Sequence, residues 1–185
     1  MTTTTIELRA WVGCLGCYND GNLVGKWVDG IEAENVTIAE LHEGDRIPKN
    51  IYTEMHEELW CFDHEGYGGG EFSPMEATRI ARYFEEAESD GVDLGALRAW
   101  IDNESGYRGK DWADDRDSFG DDFYGTYGSE KEFAESFAYD TGQISDDSPL
   151  SSYIDWERVW ESDFHCDSWW SAKTADYDVY IFRSS

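Results

Sequence analysis

The sequence predicts an α+β fold in three small units: a β-sheet with a short helix, a small helical unit and a mixed α/β C-terminal unit. Apolar residues alternate near the N-terminus, as is typical of half-buried strands. Further along, the pattern changes to capped stretches with helical spacing. A glycine-rich stretch at 66–70 separates the two patterns. We therefore expect domains at residues 1–64, 71–104 and 105–185.

The first unit should contain three strands and one short helix. Alternation over residues 6–12 predicts the first strand, and the apolar run 23–28 predicts its hairpin partner after the turn residues 19–22. Residues 35–41 are expected to form a short helix that is capped by the asparagine at its start. The apolar residues 59–62 predict the third strand.

The middle of the chain should be helical and then irregular. Ser73-Pro74-Met75-Glu76 is a capping box with proline at the first helical position, and apolar residues follow it at helical spacing. Asp93 is expected to cap a second helix. Residues 105–128 combine many aspartates with glycines and aromatic residues, and we expect an acidic loop with aromatic anchors that could hold a short strand.

Two helices and a strand are expected in the C-terminal unit. Ser129 begins a capping box, and Gly142 should end the helix that follows. Ser148-Pro149 predicts the start of another helix, and Val179–Phe182 predicts a final strand. Three aromatic residues at helical spacing would lie on one face of that helix: Tyr153, Trp156 and Trp160.

The most distinctive property of the chain is its charge. Its 185 residues carry 41 acidic and 14 basic side chains, which gives a formal net charge of -27 at pH 7. This charge opposes binding to nucleic acids and anionic membranes and favours cationic partners. Because 40% of the residues are hydrophobic and 16% are aromatic, the chain should nevertheless fold. The total charge equals that on about 46 Å of duplex DNA.

No apolar run is long enough to span a membrane, and the first five residues lack the features of a signal peptide. We therefore expect a cytoplasmic protein without membrane contacts. In that compartment the four cysteines, at positions 14, 17, 61 and 166, should be free thiols.

Two short motifs could indicate chemistry. Asp140-Thr141-Gly142 is the triplet of aspartic proteases, but here it ends an amphipathic helix, and we interpret it as a helix C-terminus. Residues 115–120 resemble the start of a calcium loop, yet Phe119 and Thr126 stand at ligand positions, which excludes an EF-hand. Since no other catalytic or cofactor motif is present, we expect no enzyme activity and no cofactor.

A zinc site is an alternative for the cysteines. Cys14 and Cys17 together with Cys61 and His64 could supply four ligands. The two pairs are far apart in sequence, so we favour cysteines near a hairpin and in the core, and we predict no metal.

Three segments in the same order resemble the ArdA family of antirestriction proteins. They are residues 18–27, residues 133–142, and Tyr153-Ile154-Asp155 followed by Asp163-Phe164. The chain departs from that family at 66–70, at 105–128 and at its first two cysteines. The resemblance implies an elongated molecule of three α+β domains that forms a homodimer through its C-terminal domain and imitates bent duplex DNA. It would occupy the DNA-binding groove of type I restriction-modification enzymes, in their methyltransferase core, and inhibit restriction and modification without catalysing a reaction.

The resemblance suggests a motif, and the distribution of acidic and aromatic residues suggests further functional residues. The antirestriction-like motif would comprise Phe133, Phe137, Tyr139, Asp140, Thr141 and Gly142. The phosphate-mimicking residues would be Asp102, Glu104, Asp111, Asp114, Asp115, Asp117, Asp121, Asp122, Glu130, Glu132, Glu135, Asp140, Asp146, Asp147, Asp155, Glu157, Glu161 and Asp163. Aromatic residues of this region should form core or dimer contacts: Phe133, Phe137, Tyr153, Trp156 and Trp160.

The acidic charge is also compatible with two different functions. The chain could bind another basic DNA-binding partner, or it could be a salt-adapted protein of unrelated function.

Overall fold

A computed structural model describes residues 6–43, 56–68, 70–103, 110–145, 147–165 and 168–184. Backbone contacts divide the chain into two compact units. The first comprises Met1–Leu94 with Tyr107–Trp112, and the second comprises Gly95–Gly106 with Ala113–Ser185. The α+β character is confirmed, because each unit contains helices and a small antiparallel sheet. The division into three domains is not confirmed and stays a prediction.

The first unit is built on a sheet of three antiparallel strands in the order β2-β1-β3. The strands are β1 (Arg9–Cys14), β2 (Gly25–Asp29) and β3 (Leu59–Glu65). All three predicted strands are therefore present, and Ala10 and Val12 of the central strand are fully buried. The connection from β1 to β2 is longer than a simple turn because it contains helix α1 (Leu15–Asn19). Gly21, with φ +81, follows this helix in a conformation that suits glycine.

Two short helices follow β2 instead of the single one expected. They are a 3₁₀ helix (Gly30–Asn35) and α2 (Ile38–Leu41). The prediction that Asn35 caps the helix is wrong: the Thr37 side chain accepts a hydrogen bond from the Glu40 amide at 3.2 Å. Asn35 instead donates to Glu32 within the 3₁₀ helix.

Helix α3 (Pro74–Ser89) begins as predicted, because the Ser73 hydroxyl accepts a hydrogen bond from the Glu76 amide at 3.2 Å. Thr78 of this helix is fully buried. Its hydroxyl donates to the carbonyl of Gly30 at 3.1 Å and accepts from the amide of Glu34 at 3.0 Å. These bonds attach α3 to the 3₁₀ helix and satisfy polar groups that would otherwise be buried without partners.

The next two helices are α4 (Leu94–Asn103), which begins directly after Asp93 as expected, and α5 (Trp112–Asp122). The expected acidic loop is therefore wrong for Trp112–Asp122, which forms α5, whereas the short strand that the loop could hold is present at Phe123–Tyr127. Four residues at helical spacing are buried in α5: Trp112, Asp115, Phe119 and Asp122. Two of the four are aspartates, so the sequence did not show this face as apolar.

The sheet of the second unit has three antiparallel strands in the order β4-β6-β5. They are β4 (Phe123–Tyr127), β5 (Trp169–Lys173) and β6 (Val179–Arg183). The final strand was predicted one residue shorter, a short strand was allowed where β4 lies, and β5 was not predicted. Helix α6 (Glu130–Asp140) begins at its predicted cap, where the Ser129 hydroxyl accepts from the Glu132 amide at 3.1 Å.

The helix predicted after Ser148-Pro149 is interrupted. It consists of a 3₁₀ helix (Ser151–Tyr153), α7 (Trp156–Val159) and a π-helical turn (Trp160–Phe164). The break occurs because Ile154 is extended and the Asp155 side chain caps a new helix, accepting from the Arg158 amide at 3.2 Å. Tyr153 is consequently 84% exposed and lies outside the core. Within the described ranges, no helix is long and apolar enough to cross a membrane.

Candidate functional site

Helix α6 is held by an aromatic core. The ring of Phe133, which is fully buried, lies 5.8 Å from Trp160, 5.2 Å from Phe164 and 5.1 Å from Trp169 between centroids. Each such pair contributes about 0.5–1.5 kcal/mol beyond the area that it buries. The sequence left core and dimer contacts open for Phe133, Trp156 and Trp160, and their burial places all three in the core of the single chain. The core fixes one face of α6, and its carboxylates lie on the others.

The antirestriction-like motif contains both core and surface residues. Phe133 is buried, while Phe137 and Tyr139 are half-buried, and Tyr139 packs 6.3 Å from Trp156 between ring centroids. Asp140 is exposed at the last position of α6. The aromatic part of the motif therefore stabilises the helix that carries the charged part.

The end of α6 has the features of a helix C-terminus, as predicted. The Thr141 hydroxyl donates to the carbonyl of Phe137 at 2.6 Å, and Gly142 has φ +71. The amide of Ile144 donates back to the carbonyl of Ala138 at 3.2 Å, which closes the last turn. The geometry supports a helix cap and gives no support to a protease active site at Asp140-Thr141-Gly142.

Most of the predicted phosphate-mimicking carboxylates are exposed. The exposed residues are Asp102, Asp111, Asp114, Asp117, Asp121, Glu132, Asp140, Asp147, Asp155, Glu157, Glu161 and Asp163. Glu130 and Glu135 are half-buried, and the Glu130 carboxylate accepts a hydrogen bond from Ser171 at 2.9 Å. Glu104 and Asp146 lie outside the described residues. Whether the exposed carboxylates bind a partner stays a prediction.

Two of the predicted residues are not surface charges. Asp115 is 9% exposed and Asp122 is 8% exposed, since both lie on the buried face of α5. The Asp122 carboxylate accepts a hydrogen bond from the indole nitrogen of Trp100 at 2.9 Å. Its other oxygen, Oδ1, is buried without a hydrogen-bond partner. We therefore correct the assignment of both aspartates from the surface to the interior.

Ion pairs reduce the free charge of two other candidates. The Asp102 carboxylate lies 3.3 Å from Arg98 one helical turn away, and Asp111 lies 4.0 Å from Arg79. Both aspartates are well exposed, so these contacts are weak and can be exchanged for contacts with a partner.

Acidic residues also occupy helix ends where they oppose helix stability. The last turns of α5 and α6 contain Asp121, Asp122 and Asp140 but no basic residue. A carboxylate at the C-terminal end of a helix interacts unfavourably with the helix dipole, by about 0.3–1 kcal/mol at an exposed position. Helix stability therefore does not explain why these positions are acidic.

The negative surroundings also affect a tyrosine next to the motif. Burial raises the pKa of Tyr127, and the neighbouring Tyr124, Asp140 and Glu132 raise it further. Tyr127 is thus held in its neutral form beside the acidic end of α6.

The cysteines and histidines of the first unit are grouped differently from the expectation. Cys61 is buried in β3, which raises its pKa to about 12, and the His64 ring stacks on Phe72 with 5.1 Å between centroids. Neither belongs to the group around Cys14 and Cys17. Cys14, Cys17 and Cys61 are free cysteines, as expected, and Cys166 lies outside the described residues.

Two other histidines join Cys14 and Cys17. The Cys14 sulfur lies 3.3 Å from Nδ1 of His56, and the Cys17 sulfur lies 3.4 Å from Nε2 of His42. Burial, and then the neighbouring Cys14 and Asp20, raise the pKa of Cys17 to about 11. Burial and the neighbouring His56 lower the pKa of His42. The sequence did not indicate this group because the two histidines are widely separated and belong to no short motif.

Comparison with known proteins agrees with the sequence resemblance. A family model described as "Antirestriction protein (ArdA)" matches residues 10–174, which is most of the chain. No curated protein matches it. The chain therefore belongs to the ArdA family of antirestriction proteins.

Proposed function

We propose that this protein inhibits type I restriction-modification enzymes by imitating duplex DNA and occupying the DNA-binding groove of their methyltransferase core. Family membership implies antirestriction. The observation that carries the finer proposal is the set of exposed carboxylates fixed on helices of the second unit, in a chain of net charge -27.

A phosphate mimic needs carboxylates at fixed positions. Helix α5 carries five aspartates and a single arginine, and three of its aspartates, Asp114, Asp117 and Asp121, are exposed. Helix α6 exposes Glu132 and Asp140 while Phe133 anchors its other face. Carboxylates held in this way can form charge-assisted hydrogen bonds with the lysines and arginines that normally bind phosphates.

Mimicry of phosphates alone explains why base edges are unnecessary. Phosphate contacts position a protein on DNA without reading its sequence. An inhibitor that replaces only these contacts would act on enzymes with different target sequences. Because cleavage and methylation both require DNA in the same groove, restriction and modification would both be inhibited.

The unfavourable charges at helix ends also support a binding role. Asp121 and Asp140 lower helix stability where a neutral residue would not. A basic partner would neutralise them on binding, so the same charges would contribute to affinity.

We further propose a homodimer, as the family resemblance suggests. Apolar side chains that are exposed in the single chain support a second contact surface in the C-terminal region. They are Leu150, Tyr153 and Tyr177, which are 67%, 84% and 89% exposed. Sedimentation of the wild type and of Tyr153→Asp would test this surface, and an unchanged dimer in the variant would exclude Tyr153 from it.

A competition assay tests the main proposal. A type I methyltransferase complex is bound to labelled duplex DNA, and the protein is titrated at several salt concentrations. We expect stoichiometric displacement of the DNA, with an affinity that falls steeply as salt screens the charges. Methylation of the same DNA should stop over the same concentration range.

Circular dichroism of the protein alone provides the control. A DNA mimic should remain folded at low salt, whereas a salt-adapted protein should lose structure there. A folded protein that displaces no DNA even at low salt would contradict the proposal and indicate a different basic partner.

A further inference from the structure

Four side chains with metal-binding atoms converge in the first unit. Cys14 ends β1, Cys17 lies in α1, His42 follows α2 and His56 precedes β3. The sulfur and ring nitrogen atoms that face one another all lie within 4.8 Å. We propose that these residues bind one zinc ion as a structural Cys₂His₂ site.

The distances between the atoms fit a tetrahedral zinc ion. With Zn–S bonds of about 2.3 Å and Zn–N bonds of about 2.0 Å, a sulfur and a nitrogen at two corners of the tetrahedron are about 3.5 Å apart. The sulfur of Cys17 lies 3.4 Å from Nε2 of His42 and 3.4 Å from Nδ1 of His56. The sulfur of Cys14 lies 3.3 Å from the same atom of His56. Three of the six distances between the four ligand atoms therefore match a zinc tetrahedron, and none of the six exceeds 4.8 Å.

The charges of the four ligands also suit a zinc ion. Cys14 and Cys17 are 1% and 0% exposed, so two thiolates at these positions would be costly on their own. A divalent zinc ion with two thiolates and two neutral imidazoles has no net charge. This ligand set is common among structural zinc sites.

Surrounding groups hold the ligands in place. The Cys17 amide donates a hydrogen bond to the Cys14 sulfur at 3.4 Å. The other ring nitrogen of His56, Nε2, lies 3.7 Å from the Asp20 carboxylate. This distance exceeds that of a hydrogen bond, so the carboxylate would have to move slightly to accept from Nε2, and that bond would leave Nδ1 free for a metal, as in many metal sites.

Gly16, one of the two residues between the cysteines, permits the approach of His56. A Cβ atom on Gly16 would lie 2.5 Å from Cδ2 of the His56 ring. Any side chain at this position would push the ring away from the sulfur atoms.

Two separate thiol–imidazole hydrogen bonds would explain only part of this geometry. Cys14 with His56 and Cys17 with His42 would account for two of the short contacts. The third contact, from Cys17 to His56, would then require Nδ1 to share one hydrogen atom between both sulfurs, whereas a single bound ion accounts for all three contacts at once. Convergence of both sulfurs on one nitrogen is the arrangement that a shared ion requires.

The proposed site would join three segments that are distant in sequence. It would tie the end of β1 and the start of α1 to the residue after α2 and to the chain before β3. Because the ligands do not converge in the unfolded chain, zinc binding would contribute directly to folding.

The first experiment measures metal in the full-length protein. The chain is purified with zinc present, dialysed against excess Mg²⁺ to remove ions held by carboxylates, and analysed for metal content. We expect one zinc per chain. Replacement by cobalt should produce the visible bands of tetrahedral Co²⁺ and the near-ultraviolet charge-transfer band of thiolate ligands.

Matched variants identify the ligands. Cys17→Ser and His56→Gln should lose the zinc and the charge-transfer band. Cys61→Ser and His64→Gln change a buried cysteine and a histidine of the same unit outside the group, and they should keep both.

Two further measurements keep the test decisive if Cys17→Ser does not fold. A thiol-modifying mercurial should release one zinc per wild-type chain, detected with a chromogenic chelator. His42→Gln, which alters a half-buried ligand, should weaken cobalt binding at least tenfold. A wild-type protein without zinc, a cobalt spectrum without the thiolate band, or equal zinc in Cys17→Ser and the wild type would overturn the proposal.

Discussion

Neutralising the exposed aspartates of α5 is the sharpest test of where the protein binds its partner. The variant replaces Asp114, Asp117 and Asp121 with asparagine, which preserves side-chain size. A matched control changes three exposed acids of helix α3, which lies outside the proposed binding surface: Glu85, Glu86 and Glu88, each replaced by glutamine. Both variants remove three negative charges from the surface of a helix.

The expected loss of affinity follows from the exposure of these carboxylates. An exposed ion pair contributes about 0.2–1 kcal/mol, so three pairs contribute about 0.6–3 kcal/mol. This corresponds to an increase in Kd of about 3- to 150-fold. Any single replacement should have a much smaller effect, because the binding energy is spread over many carboxylates.

Stability should change little in the α5 variant. Asp114 lies in the first turn of the helix, where a carboxylate stabilises it, and Asp121 lies in the last turn, where a carboxylate destabilises it. The two effects have similar size and opposite sign. A loss of affinity would therefore not arise from unfolding.

The assay compares the Kd of each variant for the methyltransferase complex in DNA competition at several salt concentrations. The α5 variant should bind more weakly and with a smaller salt dependence, and the α3 control should lose less affinity. Equal losses in both would show that total charge, through long-range attraction, determines binding and that the proposed surface does not. No loss in the α5 variant would exclude this helix from the interface.

Thermal unfolding tests three further expectations. Phe133→Ala should destabilise the protein by about 3–5 kcal/mol, whereas Leu23→Ala, at a side chain that is 76% exposed and outside the proposed dimer surface, should change its stability by less than about 0.5 kcal/mol. Similar values for both would contradict the burial of the Phe133 ring. Asp140→Asn should raise the unfolding free energy by about 0.3–1 kcal/mol at low salt, and a lower value would refute the helix-dipole argument. Asp122→Ala should cost about 1–3 kcal/mol because the indole nitrogen of Trp100 loses its acceptor. Asp122→Asn keeps an acceptor oxygen and should lower the free energy of unfolding by less. Equal losses of stability in the two variants would argue against the hydrogen bond from Trp100.

Local signals in the sequence predicted much of the fold. The capping serines Ser73 and Ser129 placed the starts of α3 and α6, because a hydroxyl followed three residues later by glutamate acts within one turn. The strand pattern near the N-terminus identified β1 for a similar reason, since its alternation depends only on neighbouring residues. The family resemblance was confirmed by a match over most of the chain.

Features that depend on distant contacts were missed. Helix α5 was expected to be a loop because two positions of its buried face are aspartates, and one of these, Asp122, is accommodated by a hydrogen bond from Trp100. A search for buried positions at helical spacing that allowed aspartate would have found it. The group of Cys14 and Cys17 with two histidines could not be predicted, because strand pairing and helix placement bring its members together.

The distribution of apolar and acidic residues gives a physical reason to expect that a chain of this charge remains folded at low salt. Repulsion between exposed carboxylates acts over distances comparable to the Debye length, about 10 Å at 0.1 M salt, and is spread over the surface. The packing energy that stabilises the fold against this repulsion is concentrated in a few side chains. Beneath α6, contacts join the rings of Phe133, Trp160, Phe164 and Trp169. Aromatic packing does not depend on screening by salt, so we expect the core to remain folded at low salt. Under the same conditions the surface charges should attract a basic partner most strongly. Under the proposed function, stability and binding would rely on different residues of the same helix, and a partner would neutralise one face of α6 without disturbing the other.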